Sequence, residues 1–293
     1  MIWIVMTRTD TDNYVSERNA RFIKEALGNE VRIISVTKDT DLSFIDSVND
    51  IVIAQTRDRD VLNHIVETGV RNTVESEKTV LLTKDKEIIK AKIEKLHLRM
   101  RFAKTLKEGD PVEEGKAYFV KPRFGEDSNG VDERSKCHTA RQIEEKCREL
   151  REMGYEPIVE EYIDGEECTV ALLREGEGLQ AYPVAIDLPT EFVTHEVKFS
   201  ENEICRMPPM GFAYSTFNEM FRALMPDCHY MRVDYRVKDG EVYLIDLNLF
   251  PGLGPIDHFA KCMTINRDMS YRSVLRLIAN TADRRAKSTN STR

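Results

Sequence analysis

The stretch from Arg232 to Asn248 constrains this chain more than any other. It reads Arg-Val-Asp-Tyr-Arg-Val-Lys, then Asp239-Gly240, then Glu-Val-Tyr-Leu-Ile-Asp-Leu-Asn. Asp-Gly between two β-rich runs is a strong signal for a tight hairpin, because both residues tolerate positive φ. Alternate side chains of a strand share a face. Arg232 and Asp234 therefore share one face, and so do Asp246 and Asn248. A turn centred between Asp239 and Gly240 sets Asp234 across from the neighbourhood of Asp246. Two carboxylates and an amide oxygen then converge. These are hard oxygen ligands suited to Mg2+ or Mn2+, and too few for a closed calcium cage. The competing reading is a solvated outer face. The apolar run Val242-Tyr243-Leu244-Ile245 beside Asp246 weighs against it.

The rest of the chain shows the kind of molecule that surrounds this hairpin. With 293 residues and about 150 residues per domain, two domains are expected. The first third alternates strand and helix signals. Ile2–Met6 reads as a strand, and Ser16 as the cap of a helix running to Leu27. Val31–Val36 and Ile51–Ala54 read as strands, and Val61–Glu67 as a helix stopped at Gly69. That rhythm predicts a small parallel α/β domain over residues 1–82. It carries no G-x-G-x-x-G fingerprint. The second domain, 83–293, divides into lobes of about 83–160 and 161–282. It opens with a basic helix, Lys84 to Lys95, and a strand, Ala117–Lys121. A polar Gly-bearing loop, Pro122–Val131, precedes a charged helix, Thr139–Met153. Strands follow at Ile158–Tyr162, Cys168–Leu173 and Gln180–Asp187, then the hairpin. Helices near Tyr214–Met225 and Tyr271–Ala282 complete it. The Ser/Thr/Lys/Arg-rich tail, 283–293, reads as disordered.

Composition closes off several classes. Lys and Arg number 43 against 51 Asp and Glu, a net charge of −8. An acidic chain argues against a nucleic-acid partner. The absence of a long apolar run argues against a membrane span, and the N-terminus lacks the basic start of a signal peptide. The six cysteines form no C-x-x-C pair, which fits reduced thiols in the cytoplasm.

Three further clusters are weak when taken singly. Lys121 ends an apolar strand just before Gly125-Glu126-Asp127-Ser128-Asn129-Gly130. Such a loop brings backbone N–H groups near phosphate, and a lysine supplies a point charge. Glu160-Glu161-Tyr162-Ile163-Asp164-Gly165-Glu166-Glu167 alone reads as an acidic surface turn. Asp85-Lys86 and Lys90 lie along one helix; like charges four apart cost a little there, and the plain reading is a solvated face.

Together and in order, these motifs resemble the ATP-grasp superfamily, most closely the D-alanine–D-alanine ligases. The resemblance runs from Lys84 to Ala282. It also includes Glu196-Val197-Lys198-Phe199, which resembles that family's central E-x-K-[YF] segment. It implies an α+β ATP-grasp fold, with the small parallel domain followed by a two-lobed nucleotide-binding module. It implies ATP and magnesium (or manganese), with two ions held by Asp234, Asp246 and Asn248. Lys90, Lys121 and Ser128 would lie on the phosphates, and Lys198 would reach the γ-phosphate. Glu160, Tyr162 and Ile163 would meet the adenine, and Glu167 the ribose. Arg232 and the Gly252 N–H would stabilise the oxyanion.

The reaction implied is activation of a small carboxylate, an amino acid, as an acyl-phosphate that an amine attacks, releasing ADP and phosphate. D-alanine–D-alanine ligation itself, a kinase-like enzyme that stops at phosphoryl transfer, and a noncatalytic ATP-binding regulator are the alternatives. Small molecules are the expected partners, and the resemblance leaves room for a homodimer. Three positions depart from the family. Asp246 stands where a Glu is usual. Asp12 is the nearest match to the N-terminal acid that holds the first substrate. Asp257 falls in Gly254-Pro255-Ile256-Asp257-His258, where hydroxyl side chains usually meet the second substrate's carboxylate. An ionised Asp257 would repel one unless His258 or Lys261 neutralised it.

Overall fold

The computed structural model describes residues 1–7, 12–56, 58–107, 109–124, 130–176, 178–187, 204–208 and 215–283, with the side chains of 12–16 left aside. The first sheet has the order β2-β1-β3-β4, all parallel. Its strands are β1 (Ile2–Met6), β2 (Val31–Ser35), β3 (Ile51–Ala54) and β4 (Arg71–Asn72). Val31, Val52, Ile53 and Ala54 have no polar side chains and are fully or almost fully buried, as a strand covered on both faces requires. Helix α1 runs Asp12–Leu27, so it begins four residues before the Ser16 cap that the sequence predicts. Helix α2 (Arg59–Glu67) is capped by Asp58, whose carboxylate accepts from the N–H groups of Asp60 and Val61.

Two short helices lead onward. α3 (Glu77–Lys84) is capped by Ser76, and α4 (Lys86–Glu94) by Asp85. Then comes a small sheet, β7-β6-β8, from β6 (Tyr118–Pro122), β7 (Lys136–Cys137) and β8 (Pro157–Glu161). Helix α5 (Ala140–Glu152) covers it and opens with a capping box of Thr139 and Gln142. Tyr118, Val120, Cys137, Ile143, Cys147 and Leu150 make that lobe's core.

The larger lobe is a six-stranded sheet of order β11-β10-β9-β12-β13-β5. It contains β5 (Arg101–Phe102), β9 (Glu166–Glu175), β10 (Gly178–Asp187), β11 (Ile204–Arg206), β12 (Tyr230–Lys238) and β13 (Glu241–Asn248). Strand β9 shows why it is central. Cys168, Val170 and Leu172 point into one core with α4 and helix α6 (Ser215–Leu224), whereas Ala171 and Leu173 point into another. That second core includes Phe259, Cys262 and Met263 of α7 (His258–Arg267) and Val274, Leu275 and Ile278 of α8 (Tyr271–Thr281). It also takes in Ile4, Ile23, Leu27, Val31 and Ile53 of the first sheet and its helix. Helix α7 has no counterpart in the sequence reading, because His, Cys, Thr, Ile and Asn are indifferent helix formers. All six cysteines are free, and only Cys205 among them is not buried. Burial pushes the Cys137 thiol up to about 11.

Candidate nucleotide and metal site

The hairpin forms as the sequence predicts, with one refinement. From its turn to Tyr235 the ladder pairs Lys238 with Glu241 and Tyr235 with Leu244. A bulge then shifts the register, so that Asp234 pairs with Asp246 and Arg232 with Asn248. Ile245 is the extra residue. Bulges re-aim side chains, and this one sets the two acids directly across from each other. It also frees the Ile245 carbonyl, which accepts a hydrogen bond from the Lys121 ammonium at 3.3 Å. Lys121 belongs to the small sheet and Ile245 to the large one, so this contact bridges the lobes.

Asp234 is gripped from two sides. Arg232 donates to both of its oxygens, each at 2.9 Å, and the Thr169 hydroxyl donates to Oδ1 at 2.7 Å. Burial alone would raise its pKa, but the Arg232 guanidinium holds its carboxyl below the usual range. Asp246 lies 3.7 Å from the Lys86 ammonium. The Oδ1 of Asn248 is buried with no hydrogen-bond partner among the described residues. A buried amide oxygen left this way normally costs about 1–3 kcal/mol, and a cation would satisfy it. No group of three or more His, Cys, Asp or Glu that could hold a metal occurs among the described residues. Two carboxylates and one amide oxygen therefore suit a hard ion that takes its remaining oxygens from phosphate and water.

The solvated-face reading of Asp85, Lys86 and Lys90 is corrected. Both lysines are buried and turn toward acids of the site, Lys86 to Asp246 and Lys90 to Glu160. Glu160 is buried on β8 and also meets Lys121 Nζ at 2.8 Å. Burial pushes the Glu160 carboxyl up, yet the two ammonium groups more than offset this and hold it low. Lys90 is pulled down, by burial first and by repulsion from Lys121, against the attraction of Glu160. Lys121 is raised despite burial, because Glu160 and Asp246 both face it. Asp85 contributes its helix cap and a forked pair with Arg123, at 3.0 and 2.7 Å, which fixes the start of α4.

The hinge from Tyr162 to Gly165 joins the lobes. Arg236 donates to the Ile163 carbonyl at 2.7 Å and to Glu167 at 2.6 Å. Burial raises the Glu167 carboxyl, partly countered by Arg236. The Tyr162 ring carries Lys136 at 4.4 Å and Arg236 at 4.9 Å, and stacks on Phe119 at 6.1 Å. A groove of about 1010 Å3 opens beside it, lined in part by Leu98, Lys136, Tyr162, Ile163, Lys238 and Tyr243. It touches the hinge but not Lys90, Lys121 or the metal acids. Ser128 and Lys198 lie outside the described residues, as does the side chain of Asp12. Arg206, on the edge strand β11, pairs with Glu166 and with Asp187 at 3.0 Å.

Beyond Pro251 the loop folds tightly. The Asp257 carboxylate accepts the Gly254 N–H at 2.7 Å and meets Arg18 of α1 at 3.1 Å. Arg18 is thus a partner of Asp257, one that proximity in sequence does not point to. Lys86, Arg18 and Arg236 are among the site contacts that motif reading missed. Lys86 was visible only as half of an i, i+4 pair, and nothing local marked Arg18.

Lys121 of the small sheet and Lys86 and Lys90 of α4, facing the acids of β8 and of the hairpin, are the arrangement of an ATP-grasp protein. The matching of a family model described as "D-ala D-ala ligase C-terminus" to residues 82–279 sharpens that. The chain belongs to the D-alanine–D-alanine ligase C-terminal family. It is 30% identical over 149 residues to the D-alanine–D-alanine ligase of Laribacter hongkongensis, covering 48% of this chain and 46% of that one. It is 25% identical over 259 residues to the corresponding ligase of Finegoldia magna, covering 86% and 67%. The match spans about half the length of most such curated relatives. Among solved structures, the Bacillus anthracis D-alanine–D-alanine ligase complexed with ATP superposes with a TM-score of 0.72 at 19% identity, over 96% of both chains. The VanG D-Ala:D-Ser ligase of Enterococcus faecalis does so at 0.71 and 16%, over 96% and 98%. At such identities the likeness is one of fold, and it confirms the architecture read from the sequence.

Proposed function

We propose that this chain is an ATP-dependent carboxylate–amine ligase, taking an amino acid or similar small carboxylate as the acid. The observation that carries this is the bulged hairpin, which aligns Arg232, Asp234, Asp246 and Asn248 beside Lys121 of the small sheet and Lys86 of α4. The Bacillus anthracis neighbour is a ligase complexed with ATP, which supports ATP as the nucleotide here. Asp234, Asp246 and Asn248 would hold magnesium, two ions by the family resemblance. The metal supplies charge neutralisation along the phosphates.

The chain's own groups do the rest. Lys90 and Lys121 leave Glu160 in part to take up phosphate oxygens, and Lys198 and Ser128 complete that cradle. The hinge at Tyr162 and Ile163 fixes the base, and Glu167 the ribose. Arg232 and the Gly252 N–H then face the oxygen that becomes negative when the amine attacks the activated acyl carbon. Donors already fixed before reaction lower the barrier because nothing need reorient. The partners are small molecules. The second substrate is an amine-bearing compound. D-alanine is one candidate, as the D-alanine–D-alanine ligase relatives show for their own chemistry.

The test is phosphate release from Mg-ATP over pairs of amino acids and small amines. Asp246→Asn should lower kcat by at least about 10²-fold while leaving binding of ATP at the hinge largely intact. A kcat within a factor of a few of the parent would remove Asp246 from the metal site. Release of phosphate with no amide product would leave a kinase-like enzyme in place of a ligase.

A further inference from the structure

The acid that follows the Pro-Gly loop behaves unlike an ordinary helix cap. Asp257 occupies the N-cap of α7 with extended backbone angles, φ −73° and ψ 148°, yet its side chain makes no capping hydrogen bond. Acids at this position normally accept from the first-turn N–H groups. Here the carboxylate turns back into the loop, where Gly254 N–H and Arg18 hold it. It lies directly on Gly252. A Cβ built there would meet Asp257 Oδ2 at 2.5 Å and Cγ at 2.7 Å. A Cβ on Gly254 would meet Oδ1 of Asn19 at 2.6 Å and the Phe22 ring at 3.4 Å, so α1 itself presses on the loop. Both glycines are needed for close approach.

These contacts put a full negative charge against the very peptide that the ligase reading uses as an oxyanion donor. Uncompensated, that charge opposes the negative oxygen formed when the amine attacks. Arg18, with 10% of its side chain exposed, pairs with Oδ1, the carboxylate oxygen farther from the Gly252 Cβ position, and offsets the charge. We propose that Arg18 is a positioning residue of the active centre. Acting through Asp257, it neutralises the ground beneath Gly252 and holds the Gly252–Gly254 backbone in place, so that a helix of the first sheet's domain belongs to the catalytic assembly. The inference rests on the ligase reading only for the role of the Gly252 N–H.

The experiment compares the full chain with Arg18→Met, Arg18→Lys, Asp257→Asn and the Arg18→Met/Asp257→Asn double variant. Two readouts are taken, steady-state kinetics with Mg-ATP and amide hydrogen exchange of the peptide covering 250–257. Arg18→Met should lower kcat by about tenfold or more, on the scale of one misplaced charge near a forming oxyanion, with the KM for ATP changed less than about threefold. The double variant should recover most of that loss, since the stranded charge is gone. Arg18→Lys should recover part. Exchange at 250–257 should quicken in Arg18→Met while the hinge at 160–167 stays as in the parent. A kcat for Arg18→Met within threefold of the parent overturns the proposal, as does a double variant no better than the single. Should the parent itself release no phosphate with any pair tested, the ligase reading fails. Exchange then decides alone, and unchanged rates at 250–257 in Arg18→Met overturn the proposal.

Discussion

On the ligase reading Lys90 and Lys121 hold phosphate, so their pairing with Glu160 governs how nucleotide binding responds to pH. A phosphate oxygen is held by a charged ammonium. Lys90 has its pKa displaced below the ordinary 10.5 by burial and by Lys121, whereas that of Lys121 is displaced upward. As pH rises, Lys90 loses its proton first. ATP affinity is therefore expected to decline on an alkaline limb that begins below 10.5. Lys90→Arg, which does not titrate in that range, should carry the limb to higher pH. Calorimetric titration with ATP from about pH 7 to pH 10 checks this, and superimposable limbs would take Lys90 off the phosphates. On the acid side the sign reverses. Glu160 is held below 4.5, so its pairing contributes fully above that value and is lost as pH falls through the depressed one.

At the scale of the element, the hinge presses backbone against backbone. A Cβ on Gly165 would stand 2.6 Å from the Val237 carbonyl oxygen and 3.0 Å from its carbon, both backbone atoms of β12. Gly165→Ala must push the hinge off that strand, and overpacking of this kind costs about 1–3 kcal/mol. A lowered Tm by differential scanning fluorimetry and a raised KM for ATP are expected. An unchanged Tm would mean that the strand yields freely. The hairpin shows how far sequence carries such detail. Asp239-Gly240 marks the turn, and alternation puts Asp246 and Asn248 on one face. The bulge at Ile245 has no local signature, since Leu, Ile and Asp are all acceptable in a regular ladder. The site acids were thus legible to within one residue of register, and the exact pairing came from packing across the lobes. Lys86 and Arg18 were illegible for a related reason: their partners lie far along the chain, at Asp246 and Asp257, and only the tertiary fold brings them near. Conversely, the cap at Asp85 and the capping box at Thr139 and Gln142 are local chemistry, and those helices begin within two residues of the sequence reading.

At the scale of the molecule, the first sheet and the large lobe share a core. Ile4, Ile23, Leu27, Val31 and Ile53 from one pack with Tyr182, Tyr230, Phe259 and Ile278 from the other. Fully burying side chains of this size stabilises by about 1.5–3 kcal/mol each, so neither part can leave without exposing an apolar face. Glu30 adds ion pairs to Arg272 and Arg276, which are exposed and contribute little by comparison. Calorimetric melting is therefore expected to show the first sheet and the large lobe unfolding in a single transition, and two resolved transitions for them would contradict the shared core. The same seam bears on recombination. Exchanging the first 82 residues for those of a relative looks like swapping a substrate-binding module at a linker. In this chain the exchange would instead cut through a packed interior and strand Asp257 without Arg18. Crossover points that respect the packing would have to carry α1, β1 and β3 together with α7 and α8, two stretches about 200 residues apart in the chain that can be inherited usefully only as a pair.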